Sequence, residues 1–226
     1  MRIRTIAAAA AALALPLTAC GSDDDGTPAA ESKPAGKYAG CDDPDITEAE
    51  YNEKCLDGAP ADADKPLEFG TTAKDTAGAY AEGTLDITPS TVVYAASGTD
   101  ETPEGDVFSV VVIKDHNKGD VAAAESAMLE NGGWQWIAAD GQAIEEANTD
   151  ASLGVSPNSF LGGGEVQPGT WDWGSVVFDL TEAQRAGGTL TYVDGAGTAY
   201  RWAMPDADTG PEIAKLKKDL AWSASG

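Results

Sequence analysis

The chain has 226 residues, and 38 acidic side chains against 14 Lys and Arg give it a formal charge of −24. A surface this acidic repels phosphate backbones and anionic headgroups, so no nucleic-acid partner is expected. The single histidine, His116, leaves no serine triad and no multi-histidine metal centre to assemble.

Residues 1–19 read as an export leader: Arg2 and Arg4 open it, an alanine-rich apolar run follows from Ile6 to Leu17, and Leu17-Thr18-Ala19-Cys20-Gly21 ends it. The run is too short to span a bilayer. The small residues ahead of Cys20 resemble a bacterial lipoprotein box, which implies that Cys20 becomes an acylated N-terminus. Each methylene of its chains buried in the membrane would contribute about 0.8 kcal/mol. Arg2 and Arg4 leave with the leader and every acidic residue follows it, so the mature charge moves from −24 to −26.

Residues 20–40 are dominated by Gly, Ser, Asp, Ala, Pro, Lys and Thr, the composition of a disordered tether that holds a domain off the membrane. Residues 41–66 form a helical segment and linker. Cys41 and Cys55 remain as an exported pair and predict a disulfide. The closed loop of about 15 residues would stabilise by roughly 3 kcal/mol. Thr47 and Glu50 fit a capping box, so a short helix begins there and relies on the disulfide. Asp42, Asp43 and Asp45 lack the Asp-x-Asp-x-Asp-Gly frame of a calcium loop and read as a solvated acidic cap.

From residue 67 the pattern changes to strands separated by turns. Seven are predicted, over residues 67–72, 83–95, 107–114, 134–138, 171–180, 189–193 and 199–204. Together they predict an antiparallel sandwich spanning 67–205. In 171–180, Val176, Phe178 and Leu180 alternate with Ser175, Val177 and Asp179, which puts Phe178 in the core and Asp179 on a face toward water. Asp194-Gly195-Ala196-Gly197 reads as a hairpin turn. Alanine-rich residues 121–130, with Asp120 as cap, predict a short helix. Residues 144–167 form a long connection, the first place to look for a site. Within 206–226, Ile213, Leu216 and Leu220 share one stripe of an amphipathic helix expected to dock on the domain.

The strand Val107-Phe108-Ser109-Val110-Val111-Val112-Ile113, the turn-strand from Val166-Gln167-Pro168-Gly169 through Val177-Phe178-Asp179-Leu180, and Leu190-Thr191-Tyr192-Val193 together resemble the telokin-like, immunoglobulin-fold domains of unknown function in lipoproteins of Gram-positive bacteria, especially actinobacteria. The resemblance implies an immunoglobulin-like sandwich and an envelope location. It brings no catalytic residues, and fold alone supplies no function.

His116 lies in a polar stretch with Asp115 and Asp120 and reads as a surface residue rather than a metal ligand. No Gly-x-Ser-x-Gly, His-Glu-x-x-His or Ser-x-x-Lys signature occurs. Gly162-Gly163-Gly164 lacks the Lys-Ser or Lys-Thr of a phosphate loop. No cofactor, metal or catalytic set is therefore expected. Trp134 and Trp136, like Trp171 and Trp173, are spaced i and i+2, so each pair projects from one strand face, either into the core or outward as a binding surface. The sequence thus predicts a lipid-anchored, extracytoplasmic, non-enzymatic binding or interaction module, with an envelope protein or glycan as partner. A carbohydrate-binding or hydrolytic envelope protein and a structural spacer are the alternatives.

Overall fold

The computed structural model describes residues 65–127, 132–162 and 164–222. The leader, the tether and the segment with Cys20, Cys41 and Cys55 lie outside the described residues. The strands are β1 (Leu67–Glu68), β2 (Ala73–Ala77), β3 (Thr84–Ala95), β4 (Val107–His116), β5 (Gly133–Ile137), β6 (Ala143–Glu145), β7 (Trp171–Leu180), β8 (Thr189–Val193) and β9 (Ala199–Ala203). Three short helices join them: α1 (Asp150–Gly154), α2 (Glu182–Arg185) and α3 (Ile213–Leu220).

The protein is mostly β, in two sheets ordered β1-β9-β8-β5-β6 and β2-β3-β4-β7. Every named strand pair is antiparallel except β1 with β9. Apolar side chains from both sheets meet between them. Val111, Ile113, Val176 and Phe178 from one sheet face Trp134, Trp136, Leu190, Tyr192 and Trp202 from the other. The Trp136 and Phe178 rings lie 5.9 Å apart across this interior.

The expected face of Phe178 is observed, but the expectation for the opposite face is not. Val93, Phe108, Val110, Val112 and Val177 point outward from the four-stranded sheet and are buried under Val155, Phe160, Leu216 and Leu220. This sheet is covered on both faces, which is why β4 reads as an unbroken apolar run. Asp179 is consequently 4 % exposed rather than solvated. Helix α3 is part of that cover: Leu216 and Leu220 are buried, and Lys217 pairs with Asp208 at 2.6 Å.

Two strands escaped the sequence reading. Ala-Lys-Asp-Thr-Ala in β2 contains little β-branched character, and β6 has only three residues. Conversely, residues 121–127 form no helix. Ala123 is held extended by a two-way backbone pairing with Val166, at 3.2 and 2.7 Å, and its side chain is buried. Asn117 Nδ2 donates to both Val121 O and Val166 O, tying this strap down. Tertiary pairing overrides alanine's helix propensity here. Pro89 interrupts the β3–β4 register with a bulge between Pro89 and Thr91, as expected where a strand residue has no N–H.

The structure also corrects the tryptophan surface. Trp134 and Trp136 are core residues: Trp134 packs on Tyr192 and Trp202, and Trp136 Nε1 donates to Gln184 O at 2.9 Å. Such large rings bury efficiently once the indole N–H finds an acceptor.

Candidate functional site

Two features at the end of the β4–β7 pair stand apart from ordinary core and surface. Antiparallel pairing sets Lys114 beside Trp173, His116 beside Trp171 and Asp115 beside Asp172. Alternation then sends Lys114, His116, Trp171 and Trp173 outward and Asp115 and Asp172 inward. His116 thus ends a strand instead of sitting in a polar turn.

On the outer face Trp171 is 52 % exposed and Trp173 is half-buried. Their rings stand nearly perpendicular, 5.6 Å apart at 77°. Lys114 Nζ lies 4.9 Å from the Trp171 ring centroid and 5.6 Å from that of Trp173, a cation–π arrangement that orders both rings. Phe160 meets Trp173 edge-on from below at 6.2 Å.

On the inner face a cavity of about 290 Å³ is lined by Asp115, Glu125 and Glu146, with Ile113, Leu161 and Val176 as its apolar wall. The long 144–167 connection supplies Glu146, Leu161 and Gly162. Gly162 has φ +64° and approaches β7 so closely that a Cβ there would meet Gly174 Cα at 3.1 Å. Only glycine lets this wall form.

The three carboxyls are electrostatically unusual. Burial, and then the charge of Asp172, push Asp115 up to about 7 against a hydrogen bond with Glu125. Burial and repulsion from Asp115 push Glu125 well above the usual carboxylate range, opposed by the Trp134 indole N–H. Burial and the charge of Glu125 raise Glu146 to about 7. Glu125 Oε2 accepts from Trp134 Nε1 at 2.9 Å, while Glu125 Oε1 and Asp115 Oδ1 are shut off from solvent and, beyond the hydrogen bond the two carboxyls share, find no donor among the described residues. Among the described residues, no Lys, Arg or His lines the cavity. Among the described residues, no group of three His, Cys, Asp or Glu is arranged to hold a metal ion.

Of these acids, Asp115 was within reach of the sequence. It continues the inward alternation of Val111 and Ile113, but a strand expected to end at Lys114 leaves it in a turn. Glu125 and Glu146 carry no local signal, since only the folded chain brings them to β4.

No protein-family model and no curated protein sequence matches the chain. Solved structures that resemble it distantly include three from Bacillus. The yjhA protein of Bacillus subtilis is 13 % identical, with TM-score 0.44, over 61 % of this chain and 99 % of its own. A candidate lipoprotein of Bacillus subtilis, ycdA, is 14 % identical, with TM-score 0.39, over 62 % of this chain and 39 % of its own. A conserved hypothetical protein of Bacillus anthracis is 14 % identical, with TM-score 0.36, over 59 % of this chain and 93 % of its own. Among the described residues, no helix is long and apolar enough to cross a membrane.

Proposed function

We propose that the protein is a lipid-anchored, extracytoplasmic, non-enzymatic interaction module of the cell envelope, folded as an immunoglobulin-like sandwich and tethered through Cys20. The Trp171–Trp173 ledge is its contact surface. The observation that carries this reading is the half-exposed indole of Trp171, packed edge-on against Trp173 and under the Lys114 ammonium. Perpendicular rings offer no flat platform for a sugar to stack on. An apolar edge rimmed by Lys114 and His116 fits a protein partner, because interfaces concentrate aromatic anchors inside a polar rim.

The test is in-cell photo-crosslinking from the ledge combined with membrane fractionation. Cys20→Ser is expected to release the protein from membranes, and Trp171→Ala to remove an envelope-protein adduct while leaving the protein folded and membrane-bound. Membrane retention of the Cys20 variant would overturn the anchor. An undiminished adduct in the Trp171 variant would overturn the ledge.

A further inference from the structure

We propose that the corner between the Trp171 and Trp173 rings seats a guanidinium, an arginine side chain from a basic segment of the partner protein, in the place that the Lys114 ammonium holds in the free protein. The proposal rests on the assignment of the ledge as a contact surface and names the chemistry of what meets it there.

The argument starts from what already occupies the corner. The two indoles stand at 77°, and the Lys114 ammonium lies over both, 4.9 and 5.6 Å from their centroids. An aromatic face is electron-rich, so two faces turned on one point attract a cation without any formal charge. Among the described residues no carboxylate pairs with Lys114, and the rings alone hold its head. Such a contact is weak at an exposed site, and an ammonium is strongly hydrated, so Lys114 gives way to a cation that suits the corner better.

The rim of the corner says which cation that is. β7 is the edge strand of its sheet, and its odd-numbered residues turn their backbone groups away from β4. Val177 O accepts from Ala147 N at 2.8 Å on that side, and Asp179 N donates to Asn148 Oδ1 at 2.8 Å. The Trp173 N–H points the same way and donates to Asp172 Oδ1 at 2.8 Å. This bond brings an exposed carboxylate round to the rim, with Oδ2 unengaged among the described residues. A guanidinium suits both features, because it stacks flat on an indole and its forked N–H groups match a carboxylate. The formal charge of −24 steers a basic partner toward the protein. Arginine and tryptophan are also the side chains that most often dominate interface energies.

The experiment is an NMR titration of residues 20–226, carrying Cys20→Ser, with acetyl-Gly-Arg-Gly-amide, read at the assigned indole N–H signals. Saturable shifts are expected at Trp171 and Trp173 and none at the core residues Trp134, Trp136 and Trp202, whose signals also verify the fold of each variant. Acetyl-Gly-Lys-Gly-amide and the Asp172→Asn variant are each expected to bind about threefold or more weakly than the parent pair. Lys114→Ala is expected to tighten the arginine peptide about two- to fivefold, because it removes the competing cation. Lys74→Ala, which removes the same charge from the exposed surface of β2, is expected to leave the affinity unchanged. Absence of saturation at the two indoles overturns the proposal. So does equal affinity for the lysine peptide, no loss in Asp172→Asn, or no gain in Lys114→Ala. An equal gain in Lys74→Ala overturns it by reducing the effect to net charge. The contact surface is judged separately by the crosslinking test. An adduct lost in Trp171→Ala without peptide binding keeps the ledge and removes the arginine, whereas an adduct that persists in Trp171→Ala removes both.

Discussion

Asp179 and Asp115 lie on the same strand pair and are almost equally buried, at 4 % and 8 % exposed, yet their surroundings are opposite. Asp179 accepts from Glu104 N at 2.7 Å, Gly105 N at 2.9 Å and Thr149 Oγ1 at 2.9 Å. Asp194, in the β8–β9 turn, is similarly provided for by Ala77 N, Ala196 N and Thr198 N, at 3.0, 2.9 and 2.8 Å. Asp115 and Glu125 have each other and one indole N–H. A buried carboxylate given donors fastens loops to the sheet, whereas one left with another carboxyl as its neighbour titrates upward and holds a proton at the edge of a cavity. The first kind builds the fold, and the second makes local stability depend on pH.

The largest expected effect sets the scale. Phe178→Ala removes a fully buried ring that packs on Trp136, at a cost of about 3 to 5 kcal/mol. Asp179→Ala is expected to follow closely, at about 2 to 4 kcal/mol, because it strands two backbone donors and a hydroxyl. Thermal melts of the two variants check this, at about 2–4 °C per kcal/mol for a domain of this size. A negligible shift for Asp179→Ala would place that side chain in water and break the comparison from its well-satisfied side.

Asp115→Asn is expected to act with the opposite sign. At pH 8 it removes a buried negative charge that faces Glu125 and Asp172, so the melting temperature should rise by about 5 °C. The pH dependence of the unaltered protein follows from the same groups. Asp115 and Glu146 titrate at about 7 in the folded chain, against ordinary values of 3.8 and 4.5. Acids raised in this way bind protons more tightly folded than unfolded. Their contribution to stability is complete below about pH 4 and is lost as the pH rises through about 7. Melting temperature should therefore fall between pH 5 and 8, with a shallower slope in Asp115→Asn and in Glu146→Gln. In Asp86 and Asp208 burial pushes upward but is outweighed by Lys118 and Lys217 and by backbone donors, so both are lowered. Their contribution is lost only in stronger acid, outside this window. A flat profile from pH 5 to 8 would remove the distinction between the two kinds of acid.

Much of the architecture was legible because it depends on local period. The β7 and β8 boundaries coincide to the residue with the alternation of Val176, Phe178 and Leu180 and with Thr-Leu-Thr-Tyr-Val. Double-sided burial was not legible in Asp179, whose polarity argues for water while its donors come from residues 104, 105 and 149. The cavity was hidden for the same reason, since Glu125 and Glu146 meet Asp115 only through long-range packing. The alanine strap at 121–127 shows the reverse error: a strong local propensity is overruled by one backbone pairing with Val166.

The smallest expected effect separates the two tryptophan pairs, which share one sequence spacing and have different fates. Trp136→Ala should cost about 3 to 5 kcal/mol, since it empties part of the core. Trp171→Ala removes a ring that contacts only Trp173, Lys114 and solvent among the interactions identified for it. The loss is then confined to a cation–π contact and an edge-to-face contact at an exposed site, about 1 kcal/mol. Its melting temperature should fall by only about 2–4 °C. A side chain so weakly coupled to stability can be shaped by what it touches outside the molecule, and this is the physical content of assigning the ledge to a partner. If Trp171→Ala melts as early as Trp136→Ala, the exposed ring is structural, and its exposure no longer argues for a contact surface.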